Sequence, residues 1–249
     1  SDMVNSMLAH FEQSPEKMLP VWSHHGNENW CMIGYHSVPV IADAYVKGIR
    51  GFDAGKAFRA CVTTATSKLY DGMGDYMKYG FVPDDKLGNS ASITLDYAYD
   101  DYTIAQFARA IIGDKAIKDE EKQFAEDQLQ RFTDRSLNYR NLFDPSTGFI
   151  RAKKSDGTWK TPFDPLSTSG QGFIEGNSWN YSLYVPHDVS YYIGMTGGEN
   201  TFIRRLDSLF TMHLDDRYFA ETEDVTRAGL IGNYVHGNEP SHHAAYLYN

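Results

Sequence analysis

Glu175-Gly-Asn-Ser-Trp-Asn-Tyr-Ser-Leu-Tyr-Val-Pro-His-Asp188 gathers a carboxylate, two side-chain amides, a tryptophan, two tyrosines, a histidine and a second acid. A core helix would repeat apolar residues every third or fourth position, and this stretch has no such period. Its contents suit a sugar pocket: an aromatic face for a pyranose ring, amides for hydroxyls and a carboxylate for proton transfer. His236-Gly-Asn-Glu-Pro-Ser-His-His243 has the same character near the C-terminus. Chemistry carried on two such connecting stretches needs a scaffold, and the segments around them read as helices.

The bulk numbers bound the partners. The chain has 249 residues with a formal charge of −10, which makes nucleic acid and anionic membrane poor partners. No run approaches the roughly 18 apolar residues of a membrane span, and no signal peptide opens the chain. Aromatic content of 14%, with 17 tyrosines, fits a cleft lined with rings. Cys31 and Cys61 match no metal pattern and are too few for a disulfide framework.

Outward from the opening stretch, helical spacing recurs. Met7, Leu8, Phe11 and Met18 predict a first helix that ends before Pro20, and Trp22 to Trp30 reads as a loop. Ser37 as cap, Pro39 in the first turn and Gly48 at the end punctuate a second helix. This helix is apolar nearly all round except for Asp43, an expensive place for a carboxylate unless something binds it. Asp53 caps a third helix with a stripe of Phe58, Cys61, Val62, Ala65 and Leu69. Residues 72–92 read as a loop, and Thr94 as the cap of a helix striped with Tyr97, Asp101, Ile104, Ala108 and Ile111. Asp101 falls on the buried face with Asp100 at its edge. They read either as functional acids or as partners of an arginine such as Arg109.

A scaffold helix follows from about Asp119 to Leu137. Asp144-Pro-Ser-Thr-Gly148 is a turn, and Phe149–Lys153 with Thr158–Thr161 predicts a small hairpin around Asp156-Gly157. Pro186 opens a helix running to Gly197-Gly198, and another covers Thr201–Met212. Seven or eight helices with chemistry in their connections suggest an all-α toroid of helix pairs with one small hairpin.

Glycosidic hydrolysis needs one carboxylic acid to protonate the leaving oxygen and a second carboxylate to act on the anomeric carbon or on water. Glu175, in its Gly/Asn/Trp setting, is the natural acid. The spacing of His236, Asn238, Glu239, His242 and His243 is not that of a zinc site. The Asn238 and Glu239 oxygens suit calcium, or equally a metal-free sugar contact.

Five stretches occur in one order and cover nearly the whole chain. They are Gly34-Tyr-His-Ser-Val-Pro-Val-Ile-Ala-Asp-Ala-Tyr-Val-Lys-Gly48, Thr94-Leu-Asp-Tyr-Ala-Tyr-Asp-Asp101, Asn141-Leu-Phe-Asp-Pro-Ser-Thr-Gly-Phe149, Glu175 to Asp188, and Gly237-Asn-Glu-Pro-Ser-His-His243. On them the chain resembles glycoside hydrolase family 92, the calcium-dependent exo-acting α-mannosidases. The resemblance implies an (α/α)6-type helical toroid, incomplete here, with residues 1–249 part of one catalytic domain. The family's N-terminal β-sandwich and the end of the catalytic domain are then absent, and the uncovered helices are expected to fold poorly or associate.

The resemblance also implies inverting release of terminal mannose from a mannose-containing glycan, with Glu175 as general acid. Asp43, Asp100, Asp101, Trp179, His236, Glu239 and His242 are expected against the substrate, and Asn238 and Glu239 at a bound Ca2+. The family's base motif lies beyond the Tyr-Leu-Tyr-Asn segment that closes this chain, so other parts of the parent complete the site. Members specific for α-1,2 linkages share a His-Glu pair where this chain has His236-Gly237, which leaves linkage open. A non-catalytic sugar- or calcium-binding piece is the competing reading. Family resemblance places the protein in the bacterial periplasm or outside the cell.

Overall fold

The structure, a computed structural model, describes residues 1–219 and 229–249. The described residues are mainly helical, with three two-stranded antiparallel hairpins, so the all-α class stands. They form two compact units, Ser1–Gly80 with Asp96–Asn138, and Phe81–Leu95 with Tyr139–Asn249.

The first unit opens with α1 (Asp2–Gln13), which buries Val4 and Leu8. The helix stops well short of Pro20 because Ser14, extended at ψ 143°, precedes Pro15, and proline drives its predecessor out of the helical region. The loop that follows holds a short hairpin, β1 (Ser23–His24) and β2 (Asn27–Glu28). One carboxylate shapes it. Glu28 Oε2 accepts the Val21 N–H at 2.6 Å, while Oε1 accepts those of Trp22, Asn29 and Trp30 at 3.0, 3.0 and 3.1 Å. These charge-assisted bonds satisfy backbone donors that no ladder reaches.

Helices α2 (Ser37–Val46) and α3 (Ala54–Thr64) pack on α1 and on each other. His36, rather than Ser37, stands at the start of α2, and the Ser37 hydroxyl donates to the Pro20 carbonyl instead. Asp53 caps α3 as its sequence suggests, accepting the Lys56 N–H at 2.9 Å, a bond worth about 1 kcal/mol. The α3 stripe ends early, and Leu69 is exposed.

Within the segment read as a loop lies α4 (Met73–Tyr79), bracketed by left-handed Gly72 and Gly80. It is too short to announce itself by periodicity. Helix α5 (Ser90–Gly113) begins a turn before Thr94, whose hydroxyl donates to the Ser90 carbonyl and accepts the Val82 N–H. Its residues 90–95 belong to the second unit and 96–113 to the first. Acids fill the first turn of α6 (Asp119–Arg135), where the helix dipole favours them, and the helix packs on α3.

In the second unit, β3 (Phe143–Asp144) pairs with β4 (Phe149–Ile150) across the Asp-Pro-Ser-Thr-Gly turn. The hairpin expected around Asp156-Gly157 reduces to one bridge, Lys153 to Trp159. Helix α7 (Ser178–Tyr181) is a single turn inside the opening stretch. Asp188, not Pro186, precedes α8 (Val189–Met195), and α9 (Glu199–Thr211) buries Phe202, Leu206 and Leu209. The last hairpin joins β5 (Leu230–Ile231) to β6 (Tyr234–Val235) through Gly232-Asn233. Gly232, at φ +64°, lies where a Cβ would meet the Leu209 carbonyl oxygen at 2.4 Å, so only glycine lets this turn sit against the end of α9.

Candidate active site

Glycine and asparagine chemistry builds the Glu175 turn. Left-handed Gly172 turns its carbonyl onto the N–H groups of Ala91 and Ser92 at 3.0 and 3.2 Å, satisfying donors in the first turn of α5. Ser92 Oγ in turn accepts the Ile174 N–H at 3.2 Å. Three residues on, Asn177 and Asn180 form a reciprocal cap: Asn177 Oδ1 accepts the Asn180 N–H at 3.2 Å and Asn180 Oδ1 accepts the Asn177 N–H at 3.3 Å. Ser178 and Ser182 fasten α7 to β4 through the Ile150 carbonyl and N–H.

Glu175 lies between these fixed points, half-buried and at φ +51°. A non-glycine residue in that region carries strain of roughly 1–3 kcal/mol, so neighbouring contacts must hold it there. Asn238 is one of them, donating from Nδ2 to the Glu175 carbonyl at 2.7 Å.

Around this turn the second motif is assembled. Residues Glu239–Ser241 form a 3-10 turn that packs on α7. His236 and His242 are exposed and stacked, with ring centroids 5.1 Å apart, and the His236 Nδ1 and Tyr234 hydroxyl are 2.6 Å apart. Glu239 is exposed, and half-buried Trp179 leans on Phe149 at 4.9 Å. His243 differs from its neighbour. Burial depresses its pKa although the ring lies 2.6 Å from the Leu183 carbonyl, which fixes it as a neutral packing group. The structure therefore brings Glu175, Trp179, His236, Asn238, Glu239 and His242 into one unit. Asp188, the other acid of the opening stretch, is occupied by Tyr139 at 2.7 Å and Arg140 at 2.6 Å.

The remaining expected residues belong to the first unit, and three readings change there. Asp43 is not a buried acid: it is exposed and pairs with Lys47 at 2.7 Å on the same helix. Exposed Val40 and Val46 show that α2 turns this side to solvent. Asp101 is fully buried and accepts from the Tyr35 hydroxyl at 2.7 Å, the Tyr76 hydroxyl at 3.1 Å and Arg135 Nε at 2.8 Å. Burial pushes this carboxyl up to about 6, against the opposing pull of Arg135 and the three donors. Its arginine partner is Arg135, not Arg109, which reaches Thr133 instead. With three donors and no exposed surface, Asp101 has the surroundings of a structural anion.

Asp100 is also fully buried, accepting the Tyr35 N–H at 2.7 Å and lying 2.9 Å from His36 Nδ1. It acts on the surface only through His36, a residue absent from the sequence-level candidates. His36 Nε2 lies 4.0 Å from Asp96, and the ring is 46% exposed. Burial opposes its charge, but Asp100 and then Asp96 raise its pKa to about 9. Burial in turn lifts Asp96 to about 7 despite the nearby imidazole. The signal was available: Asp96 and Asp100 are four apart on one helix, hence on one face.

The calcium ligands can be tested against this geometry. Among the described residues, no three of His, Cys, Asp and Glu converge as a metal-binding group. Asn238, with its amide nitrogen committed to Glu175, presents Oδ1 as its acceptor end, beside exposed Glu239. Two oxygen donors are of the hard type that calcium takes, and they are two of the six to eight that its shell requires.

The family model described as the glycosyl hydrolase family 92 catalytic domain matches residues 1–249. A family GH92 alpha-mannosidase from Bacteroides thetaiotaomicron has a solved structure that superposes with TM-score 0.86 at 47% identity, covering 99% of this chain and 31% of its own. That enzyme has also been solved in complex with mannoimidazole. A family GH92 inverting mannosidase from Bacteroides thetaiotaomicron VPI-5482 superposes with TM-score 0.78 at 32% identity, covering 98% of this chain and 33% of its own. A curated relative from Arthroderma benhamiae, described as an uncharacterized secreted glycosidase, is 29% identical over 86% of this chain and 29% of its own length. The chain thus spans about a third of the length of the relatives it matches.

Proposed function

Because this chain belongs to glycosyl hydrolase family 92, we propose that it forms part of an exo-acting α-mannosidase that releases terminal mannose from glycans with inversion. The observation that carries the proposal is the Glu175 turn. A half-buried carboxyl-bearing residue is held at a left-handed backbone angle by the Asn238 bond to its carbonyl, in the same unit as half-buried Trp179 and exposed His236, Glu239 and His242. The likeness to an alpha-mannosidase and to an inverting mannosidase supports both the substrate class and the stereochemistry.

In this reading Glu175 protonates the departing glycosidic oxygen. Trp179 offers an apolar face to a sugar ring, and His236, Glu239 and His242 present polar groups to hydroxyls. Inversion needs a second carboxylate to activate water, typically about 6.5–9.5 Å from the acid. Asn238 Oδ1 and Glu239 would hold a calcium ion, which when bound supplies a cation for coordinating sugar hydroxyls. Secretion or a periplasmic location fits the relative described as secreted, and no helix among the described residues is long and apolar enough to cross a membrane.

The test is Glu175→Gln in the protein as its organism makes it. Loss of general acid catalysis typically costs about 10²–10⁴ in rate, or roughly 3–5 kcal/mol of barrier. The loss is expected on a natural mannoside and to be largely relieved on one with an activated phenol leaving group. Equal losses on both substrates would make Glu175 a binding or structural residue.

A further inference from the structure

We propose that Asn238 and Asn233 are positioning residues for Glu175, holding the backbone turn from which its carboxyl projects; the proposal rests on the reading of Glu175 as general acid. A left-handed glutamate returns to ordinary backbone angles unless its surroundings prevent it. The hairpin β5–β6 and its continuation grip the turn on both sides of Gly176.

Before Gly176, Asn238 Nδ2 donates to the Glu175 carbonyl at 2.7 Å. After it, Asn233 and Asn177 form a reciprocal amide pair, with Asn177 Nδ2 donating to Asn233 Oδ1 at 3.2 Å and Asn233 Nδ2 returning a bond to Asn177 Oδ1 at 3.3 Å. The Asn233 carbonyl also accepts Asn180 Nδ2 at 2.6 Å. All four amides are buried, with Asn233 only 1% exposed, so water does not replace these bonds when one is lost.

The grip has its own anchor. Asn233 N–H donates to the Leu209 carbonyl at 2.7 Å, and Gly232 packs on the backbone of Leu209 and Phe210. The last turn of α9 thus fixes the hairpin, the hairpin fixes the Asn177–Asn180 cap and the Glu175 carbonyl, and the direction of the Glu175 side chain follows.

Asn238 has two ends with separable duties. Its donor holds Glu175, and its acceptor is the oxygen offered to calcium. Asn238→Asp separates them, because aspartate keeps an oxygen, and a better calcium ligand, while losing the N–H and setting an acceptor against the Glu175 carbonyl. A metal ligand tolerates this change; a positioning donor does not.

The experiment compares wild type, Asn238→Asp and Glu175→Gln in the natural full-length protein. Each is assayed on a natural mannoside and on one with an activated leaving group, and backbone hydrogen exchange is followed over residues 174–180 without substrate. Expected for Asn238→Asp is a loss of about 10²-fold on the natural mannoside, the scale of a small misplacement of a reacting group. A much smaller loss on the activated substrate and faster exchange in the turn should accompany it. Unchanged exchange, or equal losses on both substrates, overturns the positioning role. If Glu175→Gln shows no leaving-group dependence while Asn238→Asp still loosens the turn, the acid assignment fails and the clamp stands. Circular dichroism verifies folding, and if Asn238→Asp does not fold, Asn238→Ala, which adds no charge, takes its place under the same criteria.

Discussion

Replacing Asp101 with asparagine removes one charge and almost no volume from the best-connected ion pair in the first unit. Arg135, its side chain 10% exposed, loses its counter-charge and is left with uncharged acceptors, among them the Ala65 carbonyl at 2.9 Å and the Tyr35 hydroxyl at 3.3 Å. The amide oxygen can take the place of Oδ2 and accept from Tyr76 and Arg135, with the nitrogen donating to a Tyr35 hydroxyl that turns to the Tyr97 carbonyl at 3.2 Å, so the cost is that of an arginine left without its counter-charge. Breaking one side of a buried pair costs about 3–5 kcal/mol, a fifth or more of the ~5–15 kcal/mol that holds a typical domain. For a chain of this size that is a fall in melting temperature of roughly 6–20 °C.

The assay is urea unfolding followed by circular dichroism on wild type, Asp101→Asn, Arg135→Met and the double variant. Both single variants should be strongly destabilised, and the double variant should recover much of the loss, because removing both charges leaves no orphan. A single-variant cost below about 1 kcal/mol, or a double variant no better than its worse parent, would refute the argument. The same series decides what Asp101 is for: a sugar contact would weaken binding at unchanged stability.

Other outcomes follow from the geometry. His36 has a folded-state pKa of about 9, above the ~6.5 of a free imidazole, so its contribution is full below that lower value and is lost as pH rises through about 9. The melting temperature should therefore drop between pH 6.5 and 9 in wild type, and less in His36→Gln; equal drops would discard the His36–Asp100 pairing as the cause. Gly232→Ala must place a Cβ 2.4 Å from the Leu209 carbonyl oxygen at φ +64°, and should destabilise by about 1–3 kcal/mol in thermal or urea unfolding; an unchanged midpoint would mean that the turn is free to move. Removing calcium with a chelator should abolish mannoside hydrolysis and re-addition should restore it, whereas undiminished turnover in excess chelator would withdraw Asn238 and Glu239 as ligands.

What was legible beforehand was local. Asp53 named its own cap because an Asx side chain bonds three residues on, and Asp101 fell on the buried face because helical period alone decides that. The two polar stretches announced themselves by composition, and they do come together in one unit. What escaped was set by partners far along the chain. Arg135 sits late in α6, where its charge suits the helix dipole, and nothing nearby says that it turns inward to an acid 34 residues earlier. Asp43 misled for the opposite reason: an apolar sequence suggests burial on every side, and a helix at the edge of its unit leaves one side in water. Helix α4 was invisible because seven residues between two glycines are too few to show a period. Asn233 lay outside both motifs, and only the fold brings it against Asn177.

The loop from Val21 to Cys31 separates shape from surface. Glu28 alone accepts four of its backbone N–H groups and Asn29 Oδ1 accepts that of Cys31 at 3.0 Å, so the path of the chain rests mainly on these two side chains and on left-handed Gly26. In evolutionary terms, position 28 is brittle, His25 is limited to residues that tolerate its φ of +53°, and exposed His24 is cheap to change. Selection can then redecorate the face that carries Trp22 and Trp30 without redrawing the loop beneath it, and a lineage that loses this one glutamate loses the loop's path in a single step.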